Sequence, residues 1–196
     1  QHQSRAKSGA RIADEMTRLH REFGLKFFFG ADDNFFNDRD RALDIAETLA
    51  GTRIDGQAFR HVIRWGTEVT VFDTLAMKDH IDTVRRAGVR ALWLGVEDMT
   101  GALVKKGQTV ENTVEAFRML SRHGISPMPM MMHHDAQPLV SFGGSPRGLV
   151  NQARILRKAG AVTMQVLMLT PALGSRTYEE TFRSGMAFES VAGRAV

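Results

Sequence analysis

Arg85-Arg86-Ala87-Gly88-Val89-Arg90-Ala91-Leu92-Trp93-Leu94-Gly95-Val96-Glu97 (RRAGVRALWLGVE) changes character once, at its glycine. Basic residues in a last helical turn complement the helix dipole. A glycine just beyond them is the left-handed residue that ends a helix. The apolar run that follows, Ala91 to Val96, reads as a strand and stops at a carboxylate. The same order recurs along the chain. Ser121-Arg122-His123-Gly124-Ile125 leads into Pro127 to Met132, and Arg157-Lys158-Ala159-Gly160-Ala161 leads into Val162 to Leu169. Nearer the start, Ile12, Met16, Leu19 and Phe23 lie at helical spacing, Gly24 follows, and Leu25 to Phe29 reads as a strand.

This repeat predicts strands at about 25–30, 62–71, 90–96, 125–132 and 162–169. It predicts helices over Gly9 to Phe23 and at about 39–50, 75–87, 109–123 and 146–159. Arg64, Glu68 and Thr70 interrupt the second strand; the others are continuous apolar runs, as expected of strands buried on both faces. Strands alternating with long helices give βαβ units and a parallel sheet. The fold class is therefore α/β, a partial parallel (β/α) barrel of the TIM-like kind. The array opens on a helix with no strand before it, and a closed eight-stranded barrel takes roughly 250 residues. The expectation is one domain over residues 1–196 with five of six strands present and the first missing, truncated at its N-terminus. Such a piece exposes a sheet edge, which predicts poor solubility in isolation.

The composition is that of a globular chain: 196 residues, 43% hydrophobic and 24% charged. No apolar run is long enough to span a bilayer. The polar, basic start shows no secretory signal, so a cytoplasmic location is expected. The net charge of +4 is spread along helices rather than gathered in a block, which argues against a nucleic-acid partner. There is no cysteine, so the chain offers neither disulfides nor thiolate metal ligands.

In a parallel βα array, ligands bind at the carboxyl ends of the strands. Polar residues collect there: Asp32-Asp33-Asn34, Glu97-Asp98, His133-His134-Asp135 and Thr170-Pro171. Each has an ordinary alternative. Asp32 to Asn34 could cap a helix, although Asn37 or Asp38 could do so equally well. Glu97 could be a solvated loop acid. His133 and His134 invite a metal reading, but adjacent strand residues point to opposite faces, so one imidazole facing a substrate is the better reading. No metal site is expected within the chain. Met128, Met130, Met131 and Met132 read as core and cavity lining. Gly143-Gly144-Ser145-Pro146 lacks the lysine and spacing of a phosphate loop and reads as a helix start, with Ser145 as cap and Pro146 in first position. Lys105-Lys106 reads as surface charge.

At these strand ends the chain resembles the radical S-adenosylmethionine (SAM) enzymes, and most closely the branch associated with a cobalamin-binding domain. Phe29 to Phe36 (FGADDNFF) resembles that branch's F-x-D-D-N-F segment. Leu94 to Glu97 (LGVE) resembles its "iGiE", and Leu103 to Gly107 (LVKKG) its "L-x-x-x-K-g". His123-Gly124-Ile125 matches "hGI", and Thr170 to Tyr178 (TPALGSRTY) resembles "tPlPGTplye". Together these pieces cover nearly the whole chain, in the right order. The resemblance implies that Asp32, Asp33 and Asn34 meet the methionyl amino group of SAM and that Glu97 meets its ribose. It places adenine against the backbone of 169–172, with Thr170 and Pro171, and makes Glu68 a further polar wall residue. His133-His134-Asp135 departs from the glycine-rich segment usual there, which points to a substrate contact.

The resemblance also implies cofactors and partners: SAM, a 4Fe–4S cluster whose cysteine ligands (C-x-x-x-C-x-x-C) would lie upstream of residue 1, and cobalamin if the branch is right. An electron donor for the cluster and a small-molecule substrate follow. The implied chemistry is reductive cleavage of SAM to a 5′-deoxyadenosyl radical, for substrate modification or methyl transfer, by an intact parent protein and not by this stretch alone. Two other readings stay open. One is a degenerate, cluster-free barrel that serves as a binding module. The other is an unrelated βα-barrel enzyme that uses Asp32, Glu97 and His134 as acid–base groups.

Overall fold

The computed structural model of the protein describes residues 7–100, 108–133, 137–171 and 173–185, and the backbone of 190–191 and 194–195. Its centre is a five-stranded sheet of β1 (Phe27–Gly30), β2 (Arg64–Thr70), β3 (Val89–Glu97), β4 (Ser126–His133) and β5 (Gln165–Met168). Every neighbouring pair is parallel and the spatial order follows the chain order, β1-β2-β3-β4-β5. Parallel strands need crossovers, and right-handed crossovers place the helices on one side. The sheet curls into a half-barrel.

The helices are α1 (Gly9–Phe23), α2 (Arg39–Gly51), α3 (Val71–Ala76), α4 (Ile81–Arg86), α5 (Val110–Arg122), α6 (Leu149–Lys158) and α7 (Arg176–Arg183). The glycine punctuation is as expected. Gly24, Gly88, Gly124 and Gly160 all have positive φ, between 69° and 116°. After α5, the N–H of Ile125 returns to the Leu120 carbonyl at 3.0 Å, the six-to-one bond of a left-handed helix end.

One face of the central strands is buried under helices. Leu92, Leu94 and Val96 of β3 pack with Leu49, Phe117 and Leu120 and are at most 2% exposed. Their neighbours Ala91, Trp93, Gly95 and Glu97 face the concave side and are only half-buried. The expectation of strands buried on both faces is corrected here: Phe27 and Phe29 of β1 are 73% and 54% exposed, and all of β5 is exposed. These residues lie at the two edges of a curled sheet whose inner face is uncovered among the described residues.

Several boundaries also differ. The predicted helix 75–87 begins four residues earlier and splits at a 3₁₀ turn, Lys78–His80. The second strand starts after a helical turn, Phe59–Val62. Ser145 and Pro146 do not begin α6. The Ser145 carbonyl accepts from Asn151 Nδ2 at 2.9 Å, and the helix starts at Leu149 after Gly148, which has no side-chain cap. An antiparallel ribbon, Arg53–Ile54 with Gln57–Ala58, turns on Asp55-Gly56; both have positive φ, the signature of a tight hairpin.

Asp38 caps α2, accepting from the Arg41 N–H at 3.2 Å. This answers the capping question for Asp32 to Asn34, which lie too early to cap α2. Asp38→Ala is expected to lower stability by about 1 kcal/mol in urea unfolding, the usual worth of an N-cap.

Candidate functional site

The carboxyl ends of β1, β2 and β3 surround a cavity of about 430 Å³. Each strand delivers an acid to it. Asp33 comes from the loop after β1, Glu68 from the concave face of β2, Asp73 from the first turn of α3 and Glu97 from the last position of β3. Gln108 and Asn112, at the start of α5, add amides, and Met130 of β4 and Leu75 add apolar wall. Among the described residues, no Lys, Arg or His lines the cavity. Four carboxylates around one cavity favour a ligand that carries positive charge and hydroxyl groups.

Glu97 is held in an unusual backbone conformation. Its φ is +57°, left-handed for a side-chain-bearing residue. The β3–β4 register shifts at the same place, so that Gly95 pairs with Met130 and Glu97 with Met131. This irregularity re-aims the side chain, as bulges beside binding sites do. The Glu97 carboxylate folds back over Gly95, with Oε1 3.4 Å from where a Cβ on that glycine would sit. The left-handed conformation costs roughly 1 kcal/mol relative to glycine.

Asn34 spends its amide on structure. Its Nδ2 donates to Asp73 Oδ2 at 2.7 Å, and its Oδ1 accepts from the Thr70 N–H at 3.2 Å. Thr70 Oγ1 also donates to Asp73 Oδ2 at 2.6 Å, and accepts from the Asp73 N–H at 3.1 Å. The loop after β1 is thereby stapled to the junction of β2 and α3. Asn34→Ala is expected to destabilise by about 1–3 kcal/mol in chemical unfolding, because the Thr70 N–H loses its acceptor and the Asp73 carboxylate loses one of its donors.

The structure thus brings Asp33, Glu68 and Glu97 together. Asp32 does not line the cavity; it lines a neighbouring groove with Lys7, Ile12 and Phe35, which Asp33 also borders. His133 does not line the cavity; its Nδ1 lies 2.7 Å from Gln137 Oε1. Thr170 is exposed, donating to the Met168 carbonyl at 3.3 Å, and neither it nor Pro171 lines the cavity. His134 and Asp135, and Lys105 and Lys106, lie outside the described residues.

Four polar lining residues escaped the sequence reading: Thr70, Asp73, Gln108 and Asn112. Asp73 had a signal, since Thr70-Val71-Phe72-Asp73 is the Thr-x-x-Asp pattern of a helix start. Asn112 sits three residues past Thr109, which caps α5 by accepting from the Asn112 N–H at 3.1 Å. Among the described residues, no group of three or more His, Cys, Asp or Glu could hold a metal ion. No described helix is long and apolar enough to cross a membrane.

No protein-family model matches the chain. It is 23% identical over 181 residues to an uncharacterized methyltransferase from Pyrococcus horikoshii, covering 89% of this chain and 36% of the relative. Among solved structures it superposes on the radical SAM methyltransferase TsrM from Kitasatospora setae, with cobalamin and a 4Fe–4S cluster bound, at a TM-score of 0.62 and 18% identity. That match covers 83% of this chain and 31% of the other. It also superposes on the cobalamin-dependent SAM radical enzyme OxsB, with aqua-cobalamin and SAM bound, at 0.60 and 19% identity, over 93% of this chain and 26% of the other. The chain therefore spans between about a quarter and about a third of the length of these proteins. At that identity the likeness is one of fold: the half-barrel described above is the fold found in part of TsrM and of OxsB.

Proposed function

We propose that the protein binds SAM in the acidic cavity at the mouth of its half-barrel, as the SAM-facing part of a radical SAM enzyme that transfers methyl groups. The observation that carries this is the convergence of Asp33, Glu68, Asp73 and Glu97 on one cavity. SAM carries a sulfonium, an ammonium, a carboxylate and two ribose hydroxyls, and its net charge is positive. A carboxylate accepts charge-assisted hydrogen bonds from the ammonium, and neutral donors such as hydroxyls bond to it as well. In this reading Glu97 accepts from the ribose, Asp33 takes the ammonium, and Glu68 and Asp73 favour the sulfonium by charge. Gly95 leaves room for the nucleoside. Adenine contact at the end of β5, near Thr170 and Pro171, and substrate contact at His133, His134 and Asp135 remain part of the proposal on the family resemblance alone.

The residues fit SAM and do not fit an iron–sulfur cluster. Clusters of that kind are held mainly by cysteine thiolates, and the chain has none. We therefore place the cluster ligands of the proposed enzyme, and its cobalamin contacts, on chain outside these 196 residues. A bound cluster would supply the electron for reductive SAM cleavage. The residues described here bind and orient SAM and exclude water around it.

Isothermal titration of the protein with SAM and with S-adenosylhomocysteine tests this. The sulfonium is the difference between the two ligands, and an acidic cavity is expected to prefer SAM by roughly tenfold, less at high salt. Equal affinity for the two, or no binding of either, would overturn the proposal.

A further inference from the structure

We infer that Gln152, on α6 and outside the cavity, is the positioning residue that holds Glu97 in its left-handed conformation. Gln152 is fully buried. Its Nε2 donates to Asp98 Oδ1 at 2.5 Å and to the Pro146 carbonyl at 2.7 Å. Its Oε1 accepts from the Met99 N–H at 3.2 Å. One amide thus grips both residues that follow Glu97. Asp98 is gripped from the other side as well, accepting from the Thr100 N–H at 3.0 Å and from Thr100 Oγ1 at 2.5 Å.

The consequence falls on Glu97. A glutamate left to itself favours negative φ, which would swing its carboxylate off Gly95. With 98 and 99 fixed to α6, the chain must turn sharply at 97 to leave β3, and the left-handed conformation is how it does so. Asp98 and Met99 are 6% and 1% exposed, so water does not substitute readily for the amide. The site needs a donor for a carboxylate and an acceptor for a backbone N–H in one side chain. Glutamine supplies both; ionised glutamate lacks the donor, and methionine lacks the donor and offers only a weak acceptor. A helix that lines none of the cavity therefore sets where its ribose-facing acid points.

The consequence for ligand binding rests on the SAM reading; the backbone claim does not. The test has two readouts on the full 196-residue chain. The first is the Cα and Cβ chemical shifts of Glu97 in the wild type and in Gln152→Met, which keeps the side chain's length. The left-handed signature is expected in the wild type and lost in the variant, with the remaining spectrum dispersed. Unchanged shifts at residue 97 would overturn the inference. Should Gln152→Met not fold, Gln152→Ala, which removes both contacts without setting a second carboxylate against Asp98, is judged by the same shifts.

The second readout is SAM affinity in two backgrounds. Gln152→Met is expected to weaken binding about tenfold when Glu97 is present and less than about twofold in Glu97→Ala, where nothing is left to position. Equal losses in both backgrounds would assign Gln152 a purely structural role and sink the inference. If the wild type binds no SAM while residue 97 responds as described, the SAM reading fails and the clamp stands.

Discussion

Glu97→Gln is expected to weaken SAM binding by roughly ten- to a hundredfold, the worth of one or two hydrogen bonds to a charged group. Glutamine keeps the size and backbone preference of glutamate. It replaces one acceptor oxygen with a donor and removes the charge, so the loss reports on carboxylate chemistry alone. Glu97→Gly is expected to abolish the same contact and yet stabilise the fold by roughly 1 kcal/mol, because glycine adopts φ near +57° without strain. Opposite signs at one position are the signature of strain held for a ligand. Calorimetric titration with SAM gives the first number and urea unfolding the second. A destabilised glycine variant, or a glutamine variant with unchanged affinity, would show that Glu97 serves the fold instead.

Gly95→Leu is expected to remove detectable SAM binding, a loss beyond about a hundredfold, while the protein remains folded. Among the described residues, a Cβ at Gly95 meets only the Glu97 carboxylate, at 3.4 Å, so the backbone tolerates a side chain there. Every atom beyond it enters the cavity. Gly66, on the same concave face one strand away, makes the contrast. A Cβ there would fall 2.6 Å from the Ala91 carbonyl oxygen and 2.8 Å from the Trp93 ring, so substitution at Gly66 acts through folding. Circular dichroism on both variants, with SAM titration of the Gly95 variant, separates the two cases. Retained binding in Gly95→Leu would place the ligand elsewhere.

The fold was legible because its signals are local. Basic residues and a glycine end α1, α4, α5 and α6, and an apolar run follows each, so element order and a parallel sheet could be read directly. Starts were harder than stops. The Thr70 cap was hidden inside an expected strand, and the start of α6 depends on Asn151 and Gln152 reaching back to the loop, which no local pattern announces. The site was half legible. Asp33, Glu68 and Glu97 lie at strand ends, where topology sends ligands. Asp32 and Asp33 are adjacent and chemically identical, and only the turn after β1 lets Asp33 border both the cavity and the groove while Asp32 borders the groove alone. Asn34 has the right chemistry for a ligand, but Asp73, 39 residues away, claims it first. The left-handed turn at Glu97 depends on contacts 55 positions downstream and has no local signature at all.

Carbon-13 labelling of the methionine methyl groups, followed by SAM titration, tests the central claim most directly. Met130 lines the acidic cavity, Met131 is buried on the opposite face of the same strand, and Met16 lines the neighbouring groove. SAM is expected to move the Met130 resonance saturably and to leave those of Met131 and Met16 in place. A Met130 signal that stays fixed at saturating SAM, or a response confined to Met16, would contradict the assignment of the cavity.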